Sequence, residues 1–236
     1  SYTVTSSPGG FTGTGASSPI SVTGLTAGTA YTFTATATNS SGTSSASSAS
    51  SSLTLASVGS YFLIQRTTVG AGGSSYVEFT SIPSTYTHLQ VRFIANTNRG
   101  TYGVDTFKIN VGASSADTGS NYTRHYLLGD GSSATAAADV SQTYWQGAND
   151  FGTTTAGTYF FGAGIIDILD YKTTSKYKTF RKLGGADVNG TVGGVGGSSS
   201  LISGLWMSTS AIGYIKIASM TSTLQQYSTF ALYGVS

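Results

Sequence analysis

Between Ala30 and Asn39 the chain alternates without a break. Tyr31, Phe33, Ala35 and Ala37 take one parity, and Thr32, Thr34, Thr36 and Thr38 take the other. Successive side chains of a strand point to opposite faces, so a period of two describes a half-buried β-strand and fits no helix. The same period returns further on, where Leu89, Val91, Phe93 and Ala95 alternate with His88, Gln90 and Arg92. Helix formers are scarce: Glu78 is the one glutamate, and Leu and Lys are few, whereas the chain holds 32 Gly, 15 Tyr and 11 Phe. The fold class expected is all-β.

Strand-length apolar runs bounded by turn residues carry this reading along the chain. They predict strands at 61–64, 76–79, 88–95, 105–111, 122–129, 140–146, 158–170, 176–183, 200–207, 211–218 and 228–235, with Ser81-Ile82-Pro83-Ser84-Thr85 as a turn. About ten strands of this spacing make a two-sheet antiparallel sandwich, expected as a jelly-roll or lectin-like domain over residues 56–236. Residues 1–55 form a separate module, and Ser-rich residues 40–52 are expected to combine a loop, a polar edge strand and a linker. Gly190–Ser200 reads as a flexible Gly-rich excursion, and residues 112–121 and 146–157 as polar loops.

Composition excludes several functions. With no Cys there are neither disulfides nor thiolate metal sites, which suits assembly in a reducing bacterial cytoplasm. A net charge of +2 is too small for a nucleic-acid partner, and no apolar run reaches the length of a membrane span. Two His and nine carboxylates give a thin catalytic inventory. Asp167 and Asp170, three apart on a strand, face opposite sides and form no acid–base pair, so no catalytic residue is assigned. Asp130-Gly131-Ser132 lacks the oxygen series of a calcium loop and reads as a turn, so no metal and no cofactor is expected.

Two resemblances add to this. Leu25 through Asn39 resembles the second half of a fibronectin type III domain, with Leu25 to Tyr31 spaced as a tyrosine corner. Such a sandwich runs to about 100 residues, so its opening strands are expected upstream or from neighbouring chains. Ser81 through Arg92, Ser120-Asn121-Tyr122-Thr123-Arg124-His125-Tyr126, Gly129 through Ala134, Ile166 through Tyr171, Ser203 through Met207 and Tyr227 through Ser236 together resemble a β-sandwich domain of tailed-bacteriophage virion structural proteins. That resemblance implies a non-enzymatic virion surface protein, a fibre or appendage contributing to host-glycan adhesion. The alternatives are a capsid decoration or head-fibre protein that only docks, and a glycan-degrading enzyme. It also implies other virion proteins as partners and a homo-oligomer, a trimer by preference.

The aromatic residues supply the candidate ligand site. Tyr144-Trp145-Gln146 and Asn149-Asp150-Phe151 set rings beside amides and a carboxylate, and Tyr122 and Tyr126 add similar surfaces. Sugars are held by such a combination, a ring against the pyranose and directional bonds to hydroxyls. Trp206 is expected to fill the interior. Lys172, Lys176, Lys178, Arg181 and Lys182 form the main basic run, expected as a solvated strand face.

Overall fold

The computed structural model describes residues 1–55, 61–157, 160–192 and 195–236, without side-chain surroundings for 189–195. Residues 56–60, the first expected of the second module, the first two residues of the strand expected at 158–170, and Gly193-Gly194 lie outside the described residues. The chain forms two compact units, Ser1–Ser60 and Tyr61–Ser236. Both are built of strands, and no helix occurs among the described residues.

The first unit contains β1 (Tyr2–Ser7), β2 (Thr12–Gly15), β3 (Ala30–Asn39), β4 (Gly42–Thr43) and β5 (Leu53–Thr54), in one sheet ordered β2-β1-β3-β4 with β5 also on β3. The Tyr31 hydroxyl accepts the Thr26 N–H at 3.0 Å, closing the expected corner. Along β3, burial fades from Tyr31 through half-buried Phe33 and Ala35 to exposed Ala37. No second sheet faces it among the described residues of the unit, and a groove of about 510 Å3 opens on that side beside Tyr2, Val4, Ile20 and Ala35.

The Ser-rich stretch is more ordered than its composition implies. The N–H groups of Ser44, Ser47 and Ser50 donate to the carbonyls of Ala37, Ala35 and Phe33. Their hydroxyls accept, at 3.0 Å each, the N–H groups of Ala37, Ala35 and Phe33. A three-residue repeat therefore pairs with the two-residue repeat of β3, with serine Oγ standing where a second strand would offer a carbonyl.

The second unit contains β6 (Tyr61–Thr68), β7 (Val77–Phe79), β8 (His88–Thr97), β9 (Val104–Asp105), β10 (Phe107–Gly112), β11 (Tyr122–Gly129), β12 (Ala134–Gln142), β13 (Trp145–Gln146), β14 (Phe151–Thr153), β15 (Gly162–Leu169), β16 (Lys178–Val192), β17 (Val195–Trp206), β18 (Tyr214–Ser219) and β19 (Thr229–Val235). A ten-stranded sheet runs β12-β11-β17-β16-β15-β8-β14-β9, with β19 joining β8 to β6, and a four-stranded sheet runs β13-β10-β18-β7. One core lies between them. Leu89, Val91, Phe93, Ile166, Ile168, Phe180, Ile202, Phe230 and Leu232 from the large sheet meet Val77, Phe79, Phe107, Ile109, Val111, Ile215 and Ile217 from the small one. Phe93, Phe107, Phe151 and Phe230 pack ring to ring at 5.4–6.0 Å. The unit is an all-β sandwich.

Two expected loops are corrected. Most of Gly190–Ser200 belongs to the long β16–β17 hairpin, whose register runs from Lys178↔Trp206 to Val192↔Val195 with one irregularity between Ala186 and Thr191. Residues 146–157 are largely interior: Gly147, Ala148, Asp150, Phe151, Gly152 and Thr153 are all buried. Glycine here and in β17 marks close packing. A Cβ on Gly147 would stand 2.2 Å from the Phe107 ring, and one on Gly204 would lie 2.1 Å from the Thr123 carbonyl and 2.3 Å from the Trp145 indole nitrogen.

Candidate functional site

The seven expected ligand residues divide by where the sandwich places them. Tyr122, Trp145 and Asp150 are buried, which overturns their assignment to a surface site. The Tyr122 hydroxyl accepts the Val111 N–H at 3.0 Å and has the Val111 and Asp117 carbonyls at 3.1 Å; burial raises its pKa. Trp145 stacks on Phe180 with centroids 5.2 Å apart, and its indole N–H finds no acceptor, so its role is packing. Asp150 accepts the Ala148 N–H at 2.8 Å and the Ser200 hydroxyl at 3.0 Å, and it forms a buried ion pair with Lys182. Burial pushes the Lys182 amine from 10.5 to about 7.

The other four reach the surface. Tyr126 packs against the core, with the Arg124 guanidinium 4.6 Å from its ring centroid. Gln146 is half-buried opposite Lys108, and Asn149 is half-buried with φ 45°. Tyr144, in the turn before β13, lines a groove of about 400 Å3 with Lys108, Asn110, Thr118, Thr143, Lys216 and Ala218.

This groove lies on the outer face of the four-stranded sheet. In β10 and β18 the residues Ile109, Val111, Ile215 and Ile217 point inward, which turns Lys108, Asn110 and Lys216 outward; Asn110 is the register partner of Lys216. Asn110 donates from its amide to the Asp117 and Thr143 carbonyls at 2.8 and 2.7 Å, tying both bordering loops to the sheet. The Lys108 ammonium lies 5.8 Å from the Tyr144 ring centroid and the Lys216 ammonium 4.1 Å from that of Tyr76. Among the described residues no carboxylate lines the groove. Glu78, opposite Lys216 in β7, instead accepts the Tyr214 hydroxyl at 2.7 Å. Burial, followed by Glu78, raises Tyr214 to about 12.

A larger cleft, about 820 Å3, separates the Asp130 turn from the β16–β17 hairpin. Its described lining is mostly Gly and Ser with Asp130 and Asp187 and holds no aromatic ring. Asp130 is occupied by its own turn: its carboxylate accepts the N–H and hydroxyl groups of Ser132 and Ser133, the two N–H groups holding its pKa well below the carboxylate range. Asp167 accepts the Gln90 amide at 2.8 Å, and Asp170 pairs with Lys176 at 2.6 Å. His88 Nδ1 accepts the Asp170 N–H at 2.9 Å.

The basic run is also corrected. Lys178 and Lys182 are buried, Lys178 donating to the Lys176 and Thr209 carbonyls, while Arg181 is exposed. Sequence reasoning missed the outward Lys108 and Lys216. Their signal was the alternation of Phe107, Ile109, Val111 and of Ile215, Ile217, which leaves each lysine on the polar parity. It also missed buried Asp105, which accepts hydroxyls of Thr97 at 3.0 Å, Ser219 at 2.7 Å and Ser222 at 2.5 Å and thereby joins β8, β9 and β18. No protein-family model and no curated protein sequence matches this chain.

Proposed function

We propose that this is a non-enzymatic surface-binding module of a tailed-phage virion, and that the Tyr144 groove holds acidic sugars of the host envelope. The observation that carries the ligand class is the lining. One aromatic ring, two ammonium groups and two threonine hydroxyl side chains border the groove, and no carboxylate does so among the described residues. A ring offers apolar stacking to a pyranose face, hydroxyls offer directional bonds, and ammonium groups favour a sugar that bears a carboxylate or phosphate. The virion assignment rests on the sequence motifs that resemble phage structural proteins, with the sandwich as a rigid carrier.

Affinity at one such site is expected to be weak, and display in several copies would raise it. The test is a glycan array of neutral and acidic oligosaccharides, read with wild type, Tyr144→Ala and Lys108→Ala/Lys216→Ala. Binding confined to acidic glycans, weakened about tenfold or more by each variant and reduced by salt, is the expected result. Equal binding to neutral glycans, or binding indifferent to all three residues, overturns the assignment. Imaging the labelled protein on a particle separates a tail appendage from a shell decoration.

A further inference from the structure

The outer face of the ten-stranded sheet carries an apolar row that no described part of the chain covers. Ile165 of β15 is the register partner of Leu183 of β16, Leu183 of Leu201 of β17, and Leu201 of Leu127 of β11, which faces Ala136 of β12. Their exposures are 41% for Ile165, 63% for Leu183, 57% for Leu201 and 51% for Leu127, and Ile94 on β8 is also exposed. At about 4.8 Å per strand the row is about 19 Å long. With Ile94 it exposes on the order of 500 Å2, at the upper end of what monomers leave in water.

We propose that this face is the contact surface between copies of this chain, the row of one copy packing on the row of another. Three observations favour that occupant. The row is aliphatic, so it gives a sugar no ring to stack on and suits a second sheet face, which packs on side chains about 10 Å away. The next row along the same strands is Asp167, Arg181, Ser203 and His125, neighbours in register, so one carboxylate and one guanidinium stand side by side. Arg181 makes no ion pair among the described residues. Turned by a two-fold axis, Asp167 of one copy would meet Arg181 of the other, making the patch complementary to itself. The row and its polar flank together approach the roughly 800 Å2 per partner of a stable protein interface.

The inference does not depend on sugar binding, because the Tyr144 groove lies on the other sheet. The chain has no Cys, which makes a cysteine test clean. Under mild oxidation Leu183→Cys should give a linked dimer in high yield, whereas a control cysteine at Thr143 should remain unlinked. Sedimentation at tens of micromolar should give a multiple of 24.1 kDa for wild type and the single-chain mass for Leu183→Glu/Leu201→Glu, with unchanged circular dichroism. A monomeric wild type overturns the proposal. So does a double variant that keeps the wild-type mass, which would place the contact elsewhere, or a Leu183→Cys protein that crosslinks no faster than the control.

Discussion

On the inner face of the large sheet Lys182 stands between Ile166 and Ile202, with Asp150 as its counter-charge and Ser200 donating to the same carboxylate. Nothing in Thr179-Phe180-Arg181-Lys182-Leu183 announces this. Charged residues almost never lie fully buried unless paired, and the partner comes from a turn 32 positions away. Removing one member should therefore cost more than removing both. Lys182→Met leaves a buried carboxylate and should lower stability by about 3–5 kcal/mol in urea unfolding, while Lys182→Met/Asp150→Leu should recover most of that loss. Asp117 sets a second residue-level expectation. Burial raises its carboxyl, but hydrogen bonds from the Trp206 indole, the Asn121 amide and the Gly119 N–H outweigh that and hold it below 3.8. A depressed carboxyl contributes stability that is present above the unfolded value and lost as pH falls through the folded one. Wild type should lose more stability than Asp117→Asn between pH 6 and pH 3, read as the shift of the urea midpoint.

At the scale of elements, legibility followed the alternation. Leu89, Val91 and Phe93 were readable as core because they alternate with His88, Gln90 and Arg92. The hairpin over 178–206 and the buried turn at 146–153 were not, because glycine there serves proximity and local composition cannot distinguish that use from a mobile loop. Gly204 is the clearest case, since its missing Cβ is what lets Trp145 lie against β17. The candidate site shows the same limit: the Tyr144 ring was legible, but which neighbours shared its groove depended on the pairing of β10 with β18, about a hundred residues away. The serine ladder of the first unit was hidden for a different reason. Ser44, Ser47 and Ser50 form a period of three, which neither strand nor helix templates search for. Ser44→Ala/Ser47→Ala/Ser50→Ala should keep the backbone bonds into β3 but strip the side-chain acceptors. Hydrogen exchange at the Phe33, Ala35 and Ala37 amides should then accelerate several-fold, with Tyr31 little affected.

For the whole molecule, the contrast between the two units fixes the order of unfolding. Among the described residues of the first unit Tyr31 is the one large hydrophobic residue that is fully buried, and the open side of its sheet exposes Tyr2. The second unit encloses a cluster from both of its sheets, including Phe79, Phe107, Phe151, Phe180 and Phe230. Buried apolar area contributes about 25 cal/mol per Å2, so stability should differ steeply between them. The two tryptophans offer a direct readout, because Trp145 and Trp206 both belong to the second unit. Their fluorescence reports that unit alone, whereas far-ultraviolet circular dichroism reports the strands of both. In a urea titration the dichroism should begin to change well before the fluorescence, giving two separated midpoints, and a Tyr31→Ala variant should move the first and leave the second in place. Coincident transitions by both probes would mean that the first unit draws its stability from the second.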